Sequence, residues 1–583
     1  MSYGFCPIEG LPKKRRIIVY DFEWIPNSMD IRLCGAFDGV TYRSFLTVEA
    51  FLQYALSSEN EGAWFFAHYG GRADLLFLLE SISGNSAFSI EGRMSGSSCV
   101  IADITHDNRK WSFVDSFWLF RTSLAKIATP LGMKKTGPDF DDDIDGEAKA
   151  KEWYATVPIL ELKDYNENDC RILWRAITEF ERVLLDMGGE LMMTIASCAM
   201  RLFRRKYLKR TIKVIPDINK QIESSYCASR VEVFQHEAAK GYAYDINSSF
   251  PYAMTFDLPG NCKRRKKALS DSALYIADCT IQVPPMKVPP LPYRRGPRLF
   301  FPIGTWRAWF TSVDIQLLED MHGRIEKVHD CYEYESIGDM KDYALDIYEK
   351  RKGAAKDSFE SVVYKYLLNS LYGKMNESEE KTSLIVNPSA EEYAAIKANP
   401  LADSVFPGAW MVTNIVEVPH AHLPAASFIT AIARRTLYKH LVMPMEQLHY
   451  CDTDCLSTNR DDLPVTSDLG GLKLESTFEN ATYLAPKLYS RTENGKPYYK
   501  AKGFSLGRNS TKQASNWQKI TEGKEVEIER MARLREMLRA GTMKPYEMKT
   551  FKAFRQTAIP KRKRQGIHTR PWTITELESM KGF

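Results

Sequence analysis

The chain has little of what marks a secreted, zinc-stapled or membrane-spanning protein. Its 11 cysteines include no Cys-x-x-Cys pair, which argues against a zinc module and a disulfide framework and fits a reducing compartment. Cys451 and Cys455 flank two acids, but at a spacing that does not suit zinc. No apolar run approaches the roughly 18 residues of a transmembrane helix. Met1–Arg16 lacks the apolar core of a signal peptide. Internal repeats and low-complexity segments are missing too. A soluble intracellular protein with no membrane partner is expected.

What is present is length and aromatic bulk. A chain of 583 residues predicts two to four domains. A hydrophobic content of 44% with 12% aromatics is enough for sizeable cores and excludes disorder. The net charge is only +5, but Lys13–Arg16, Lys263–Lys267 and Lys561–Arg564 are basic clusters in three regions. Each alone reads as a solvated face; together they suit a polyanion touching the protein at several places.

The acids are patterned. In Tyr450-Cys451-Asp452-Thr453-Asp454, two carboxylates at period two are expected on one face of a strand or hairpin tip. Like charges are tolerated there when a cation lies between them, and carboxylate with water is what Mg²⁺ selects when it also holds phosphate. A solvated Asp-Thr-Asp turn is the bland alternative. Asp245 ends the strand Gly241–Ile246 and precedes Asn247-Ser248-Ser249-Phe250-Pro251, a turn-and-helix start whose amides could cradle a triphosphate. Between them, Lys365, Asn369 and Tyr372 recur at helical spacing, one stripe suited to phosphate and a stacked base. An amphipathic helix ending at Gly373 explains the same run without function.

The first third repeats the theme. Asp21 and Glu23 close the strand Arg16–Tyr20; Asp74 starts an apolar helix after Gly70-Gly71, where an N-cap is the rival reading. Tyr165 and Asp169 lie one helical turn apart. Four acids and a phenol can build a two-metal hydrolytic site.

In order, Asp-x-Glu, Asp and Tyr-x-x-x-Asp resemble the three exonuclease motifs of proofreading DNA polymerases. Asp-x-x-Ser at 245, Lys-x-x-x-Asn-Ser-x-Tyr-Gly at 365–373, Tyr-x-Asp-Thr-Asp at 450–454 and Lys487-x-Tyr489 resemble motifs A, B, C and Lys-x-Tyr of family B polymerases. The resemblance implies an α/β and α+β multidomain fold, an RNase H-like exonuclease domain followed by a right-hand palm, fingers and thumb with two insertions. The expected bounds are exonuclease 1–183, palm 184–256 and 378–520, first insertion 257–345, fingers 346–377, second insertion about 380–420, and thumb 521–583.

By resemblance, Asp21, Glu23, Asp74 and Asp169 hold metal at one centre, with Tyr165 orienting water. Asp245 and Asp454 hold metal at the other, with Asp452 supporting. Two Mg²⁺ (or Mn²⁺) ions are expected at each site. Phe250 gates the sugar, while Arg351, Lys352, Lys365, Asn369 and Tyr372 bind nucleotide. Ser116, Phe117, Tyr226, Thr430, Arg434, Lys487 and Tyr489 bind DNA or a terminal protein.

Departures from the pattern are Tyr69 and Ala73 before Asp74, Phe117 for Leu, Ala228 and Ser229 for small residues after Tyr226, Ser249 and Phe250 in motif A, and Cys455 for Ser. The Pro-rich intervals after Asp245 and Gly373, with Thr430-x-x-x-Arg434, resemble the protein-primed replicases of small linear-genome bacteriophages. That branch implies a strand-displacing monomer in the bacterial host cytoplasm, acting on template/primer DNA and dNTPs with a terminal protein as primer. The rivals are a primer-independent or nucleic-acid-primed relative, and an exonuclease whose polymerase half only grips DNA.

Overall fold

The apolar run at residue 17 makes a longer strand than its pattern suggests. Ile17–Ile25 continues through Asp21 and Glu23 rather than ending at them. It pairs antiparallel with Asp30–Phe37 from Val19 to Ile25, but parallel with Trp64–Ala67 only from Ile17 to Val19. Past Val19 one strand edge is therefore open, and the helix Asp74–Ser83 begins beside it. The two faces separate by period-two alternation. Ile18, Tyr20 and Phe22 pack with Phe51, Phe65 and Phe113. Ile17 and Val19 pack with Phe66 and with Leu173 and Ile177 of the long helix Ile159–Asp186.

The computed structural model describes residues 4–580 apart from 27, 139–145, 505, 508–509, 543 and 555–559, so the outermost ends of the first and last expected domains lie outside the described residues. Its largest sheet has ten strands. Seven come from residues 17–115; the other three, Glu380–Val386, Ala402–Phe406 and Ala409–Ile415, come from the stretch expected as the second insertion. Glu380–Val386 joins Ser89–Ser95 in register from Thr382↔Met94 to Val386↔Ile90. Leu534, Met537 and Leu538, of the short helix Leu534–Arg539, bury into the same core as Leu384, Val386 and Met411. Lys151 also reaches Glu529 at 3.4 Å and Glu547 at 3.1 Å. The paired strands Glu525–Met531 and Glu547–Ala553, with the short helix between them, thus close against the amino-terminal sheet and the insertion together.

A second sheet of seven antiparallel strands runs Val231–Val233, Leu448–Asp452, Cys455–Thr458, Glu237–Ile246, Leu472–Ala485, Leu488–Glu493, Lys496–Ala501. The helix Leu423–Tyr438 is buried almost along its whole length. Thr430 and Arg434 are enclosed within it: Thr430 returns its hydroxyl to the Ser427 carbonyl at 3.0 Å, and Arg434 pairs with Asp314 at 3.0 Å and donates to the Cys227 carbonyl. Those partners satisfy the buried guanidinium.

The last basic cluster is partly internal as well. Arg562 is 2% exposed, bonded to Thr569 and to the Lys287 carbonyl and 3.8 Å from Glu232. Arg264 and Arg265 are exposed and pair with Glu333 and Asp330. No helix among the described residues is long and apolar enough to cross a membrane.

Candidate active sites

The open edge of Ile17–Ile25 assembles the first carboxylate group. With no strand partner on that side, the Phe22 N–H donates to Asp74 Oδ1 at 2.8 Å, drawing the start of the Asp74 helix onto Asp21 and Glu23. Tyr165, Asn166 and Asp169 come from the buried face of Ile159–Asp186. Asn166, for which sequence reasoning has no role, is fully buried at the centre. Its amide donates to the Asp21 carbonyl (3.0 Å), Asp21 Oδ2 (3.1 Å) and Glu23 Oε1 (3.2 Å), while its oxygen accepts from Tyr42 (2.9 Å). Lys135 is a second residue the sequence reading misses: Nζ lies 2.5 Å from Asp169 Oδ2 and 4.8 Å from the Tyr165 ring centre. Tyr154 meets the Tyr165 hydroxyl at 3.1 Å.

Burial and mutual repulsion push these acids up. Glu23 rises to about 8, through burial and then Asp169, against the Asn166 bond. Asp74 rises to about 7, through burial and then Asp115, against the Phe22 N–H. Asp21 is raised by burial, Glu23, Asp74 and Asp169. Asp169 is raised by burial against Lys135, and its Oδ1 is buried with no hydrogen-bond partner among the described residues.

Beside this group, Ser116 is enclosed. Its hydroxyl meets the Ala67 carbonyl (3.1 Å) and His68 Nδ1 (2.9 Å). Phe117 is half-buried, its ring 4.5 Å from that of Tyr69.

The second group lies on the seven-stranded sheet. Asp245 stands opposite Cys455, the residue after Asp454, and the Ile246 N–H donates to the Asp454 carbonyl at 2.8 Å. Burial and then Asp454 lift Asp245 to about 7, with Glu475 adding and Lys473 and Lys365 opposing. Burial and then Asp452 lift Asp454 to about 6, against Lys487.

Asp452 and Asp454 do not share partners as their alternation suggests. Thr453 turns the chain at φ +66°, its N–H donating to the Arg230 carbonyl. Asp452 is engaged by Lys487 Nζ (2.6 and 2.8 Å) and by the Tyr450 hydroxyl (3.2 Å). Lys487 thus sits on an acid, and its backbone N–H donates to Tyr450 Oη at 3.0 Å. Tyr489 is half-buried, its ring tilted against those of Tyr450 and Tyr483.

Asn247 is pinned by Gly470 and Gly471 through 2.8 Å bonds in each direction. Gly470 has φ +80°, and a Cβ there would come within 2.3 Å of the Tyr252 ring, so glycine is required. Facing this group is the helix Phe359–Lys374. Lys365 and Asn369 are exposed on it, the Asn369 amide donating to the Lys365 carbonyl, and Tyr372 stacks on Phe250 with ring centres 4.1 Å apart. Arg351 and Lys352 lie in the last turn of Asp339–Gly353. Burial and then Tyr226 raise the Tyr372 phenol, and the Tyr226 carbonyl accepts from Arg294.

Both groups fit hard divalent cations. The donors are carboxylate oxygens, and their repulsion is what a cation relieves. Among the described residues no three acid, imidazole or thiol side chains close into a cage. An open carboxylate set of this kind is what Mg²⁺ completes with water and phosphate.

Comparison with known proteins follows the same lines. Residues 145–406 match the family model for DNA polymerase type B, organellar and viral. A probable DNA polymerase of Neurospora intermedia is 27% identical over 363 residues, 56% of this chain and 37% of that protein. The DNA-directed DNA polymerase of Enterobacteria phage PRD1 is 24% identical over 501 residues, covering 82% and 83%. The chain therefore spans little more than a third of the fungal relative but most of the phage one. The solved structure of phi29 DNA polymerase complexed with primer-template DNA and incoming nucleotide superposes with a TM-score of 0.73 at 18% identity, covering 93% of this chain and 100% of that one. The multidomain α/β and α+β fold expected from the motifs is the fold this likeness shows. Family model, fungal and phage relatives and fold point the same way: the chain is similar to DNA polymerases of type B, organellar and viral.

Proposed function

We propose that this chain is a DNA-directed DNA polymerase that copies a template strand, trims the 3′ end in a separate site, starts on a terminal protein and opens duplex ahead of itself. The observation that carries the reading is the meeting of Asp245, near the end of its strand, with Asp454, in the turn just before the neighbouring strand, where Lys365 acts on the Asp245 charge and Phe250 and Tyr372 are stacked. The primer 3′ hydroxyl, or a terminal-protein hydroxyl at initiation, bonds to the α-phosphorus of a dNTP as the bond to the β-phosphate oxygen breaks and pyrophosphate leaves.

Asp245 and Asp454 would hold the divalent ions, and Asp452, locked by Lys487 and Tyr450, keeps the turn between them in place. When bound, the ions supply the Lewis acidity that activates the hydroxyl and offsets charge on the departing pyrophosphate. Lys365 neutralises triphosphate charge, Tyr372 stacks by the nascent pair, and Phe250 excludes a 2′-hydroxyl. Charge placement rather than a covalent intermediate does the chemistry. In the second site Asp21, Glu23, Asp74 and Asp169 would hold ions and Tyr165 orients water, with Asn166 and Lys135 fixing the carboxylates.

The test is dNTP incorporation on a primed single-stranded circle with Mg²⁺, and on linear template with and without a terminal protein. No incorporation on the primed circle overturns the polymerase reading. Equal initiation without a terminal protein overturns protein priming alone.

A further inference from the structure

Glu377 stands at the root of the residue 380–415 hairpin, three residues beyond the helix that bears Lys365, Asn369 and Tyr372. Its carboxylate collects three donors from three different pieces of chain. Lys374, the last residue of that helix, reaches Oε2 at 2.9 Å; Lys381, on the outgoing strand, reaches Oε1 at 2.6 Å; His420 Nε2, on the returning leg, lies 2.5 Å from Oε2. Each piece leads to a different working part. The outgoing strand Glu380–Val386 is bonded to the amino-terminal sheet. The returning leg enters the buried helix Leu423–Tyr438. A backbone bond from Val416 N–H to the Glu379 carbonyl, 2.9 Å, closes the two legs just outside the carboxylate.

Burial of Glu377 disfavours its charge, but the bonds from His420, Lys381 and Lys374 outweigh that and hold it well below the ordinary carboxylate range. The group is therefore a charged tie at neutral pH. Such charge-assisted bonds are short and geometrically specific. The tie touches neither carboxylate group described above.

We propose that Glu377 is a positioning residue that fixes the 380–415 hairpin to the nucleotide-binding helix, so that opening of duplex ahead of the enzyme is coupled to nucleotide insertion. The proposal rests on the polymerase reading and on the hairpin as its strand-opening insertion. Breaking the tie uncouples the two: insertion continues on open template, while progress through duplex fails.

The experiment compares Glu377→Gln with the wild-type full chain on a primed single-stranded circle and on a nicked duplex circle. Displacement synthesis should fall about tenfold while single-nucleotide insertion rate and dNTP KM on open template stay within about twofold. Lys381→Met and His420→Gln each remove one donor and should give the same split, smaller, which keeps the test available if Glu377→Gln folds poorly. Unchanged displacement in all three variants overturns the proposal, as does an equal loss on both templates. If the wild type copies neither template, the polymerase reading has failed. If it copies the open circle but not the nicked one, only the strand-opening role has failed, and the coupling with it.

Discussion

Asn166 offers the sharpest test of how the first carboxylate group is held. Replacing it with Leu keeps most of the volume but removes the donor shared by the Asp21 carbonyl, Asp21 Oδ2 and Glu23 Oε1, and the acceptor for Tyr42. Hydrogen bonds to charged groups contribute roughly 1.5–3 kcal/mol each, and neighbouring bonds of one amide do not add fully. We expect a loss of about 2–4 kcal/mol at high pH, where the carboxylates are ionised.

The sign follows from the raised acids. Glu23 titrates at about 8, above its ordinary value of 4.5, so its protonated form is the better accommodated. The stability this contributes is fully present below about 4.5 and is lost as pH rises through about 8. The Asn166 bond pulls Glu23 down, so its removal moves the ionisation higher. The deficit of Asn166→Leu should therefore grow with pH. Trimming of a 3′ end should fall about 10–100-fold, the usual cost of losing a group that orients metal-binding side chains, with its rising pH limb displaced upward. Extension should be unaffected. Thermal unfolding at several pH values, with trimming and extension assayed side by side, decides it. A uniform rate loss with an unmoved pH limb, or a parallel loss of extension, refutes the electrostatic account.

Other substitutions divide the molecule further. Asp454→Asn should cut extension on the order of 10³-fold and leave trimming, and Asp21→Asn should do the reverse, measured on one primed template. Arg434→Met leaves Asp314 buried without its partner and should cost about 3–5 kcal/mol of stability with no change in the salt dependence of DNA binding. Phe250→Val should relax discrimination against ribonucleotides by about 10–100-fold, read as the ratio of kcat/KM for dNTP and rNTP. Mn²⁺ binding that depends on Asp245 should weaken by about tenfold per pH unit, per proton displaced, below the values near 7 and 6 of Asp245 and Asp454, seen by titration calorimetry against Asp245→Asn.

What could be read in the chain beforehand was local spacing. Lys365, Asn369 and Tyr372 share a helix face because 3.6-residue periodicity leaves no other arrangement, and Tyr165 and Asp169 likewise. Long-range partners were not legible. That Glu380–Val386 would extend a sheet begun at Ile17 depends on the free edge of Ser89–Ser95, which no residue pattern advertises. Asn166 looked like filler between Tyr165 and Asp169. Only the strand facing it shows that the amide is surrounded by acid. Thr430 and Arg434 have polar side chains at positions that resemble a binding motif, but their burial could not be read from the chain, because it belongs to the packing around Leu423–Tyr438. The expected alternation of Asp452 and Asp454 fails at a single residue, Thr453, whose left-handed backbone gives each carboxylate its own neighbours.

That failure bears on how the second carboxylate group works. Had both acids faced Asp245, three carboxylates would share one space, and each would be pushed further toward its neutral form. Instead Lys487 pairs with Asp452 and opposes the rise that Asp452 still imposes on Asp454. Asp245 and Asp454 titrate near 7 and 6, so a cation held by them competes with protons close to neutral pH. A residue expected to grip DNA therefore also acts here on charge. Lys487→Met should raise the pH at which Asp454 ionises and thereby weaken metal binding on the acid side, an effect distinct from any loss of DNA affinity because it appears in the absence of DNA.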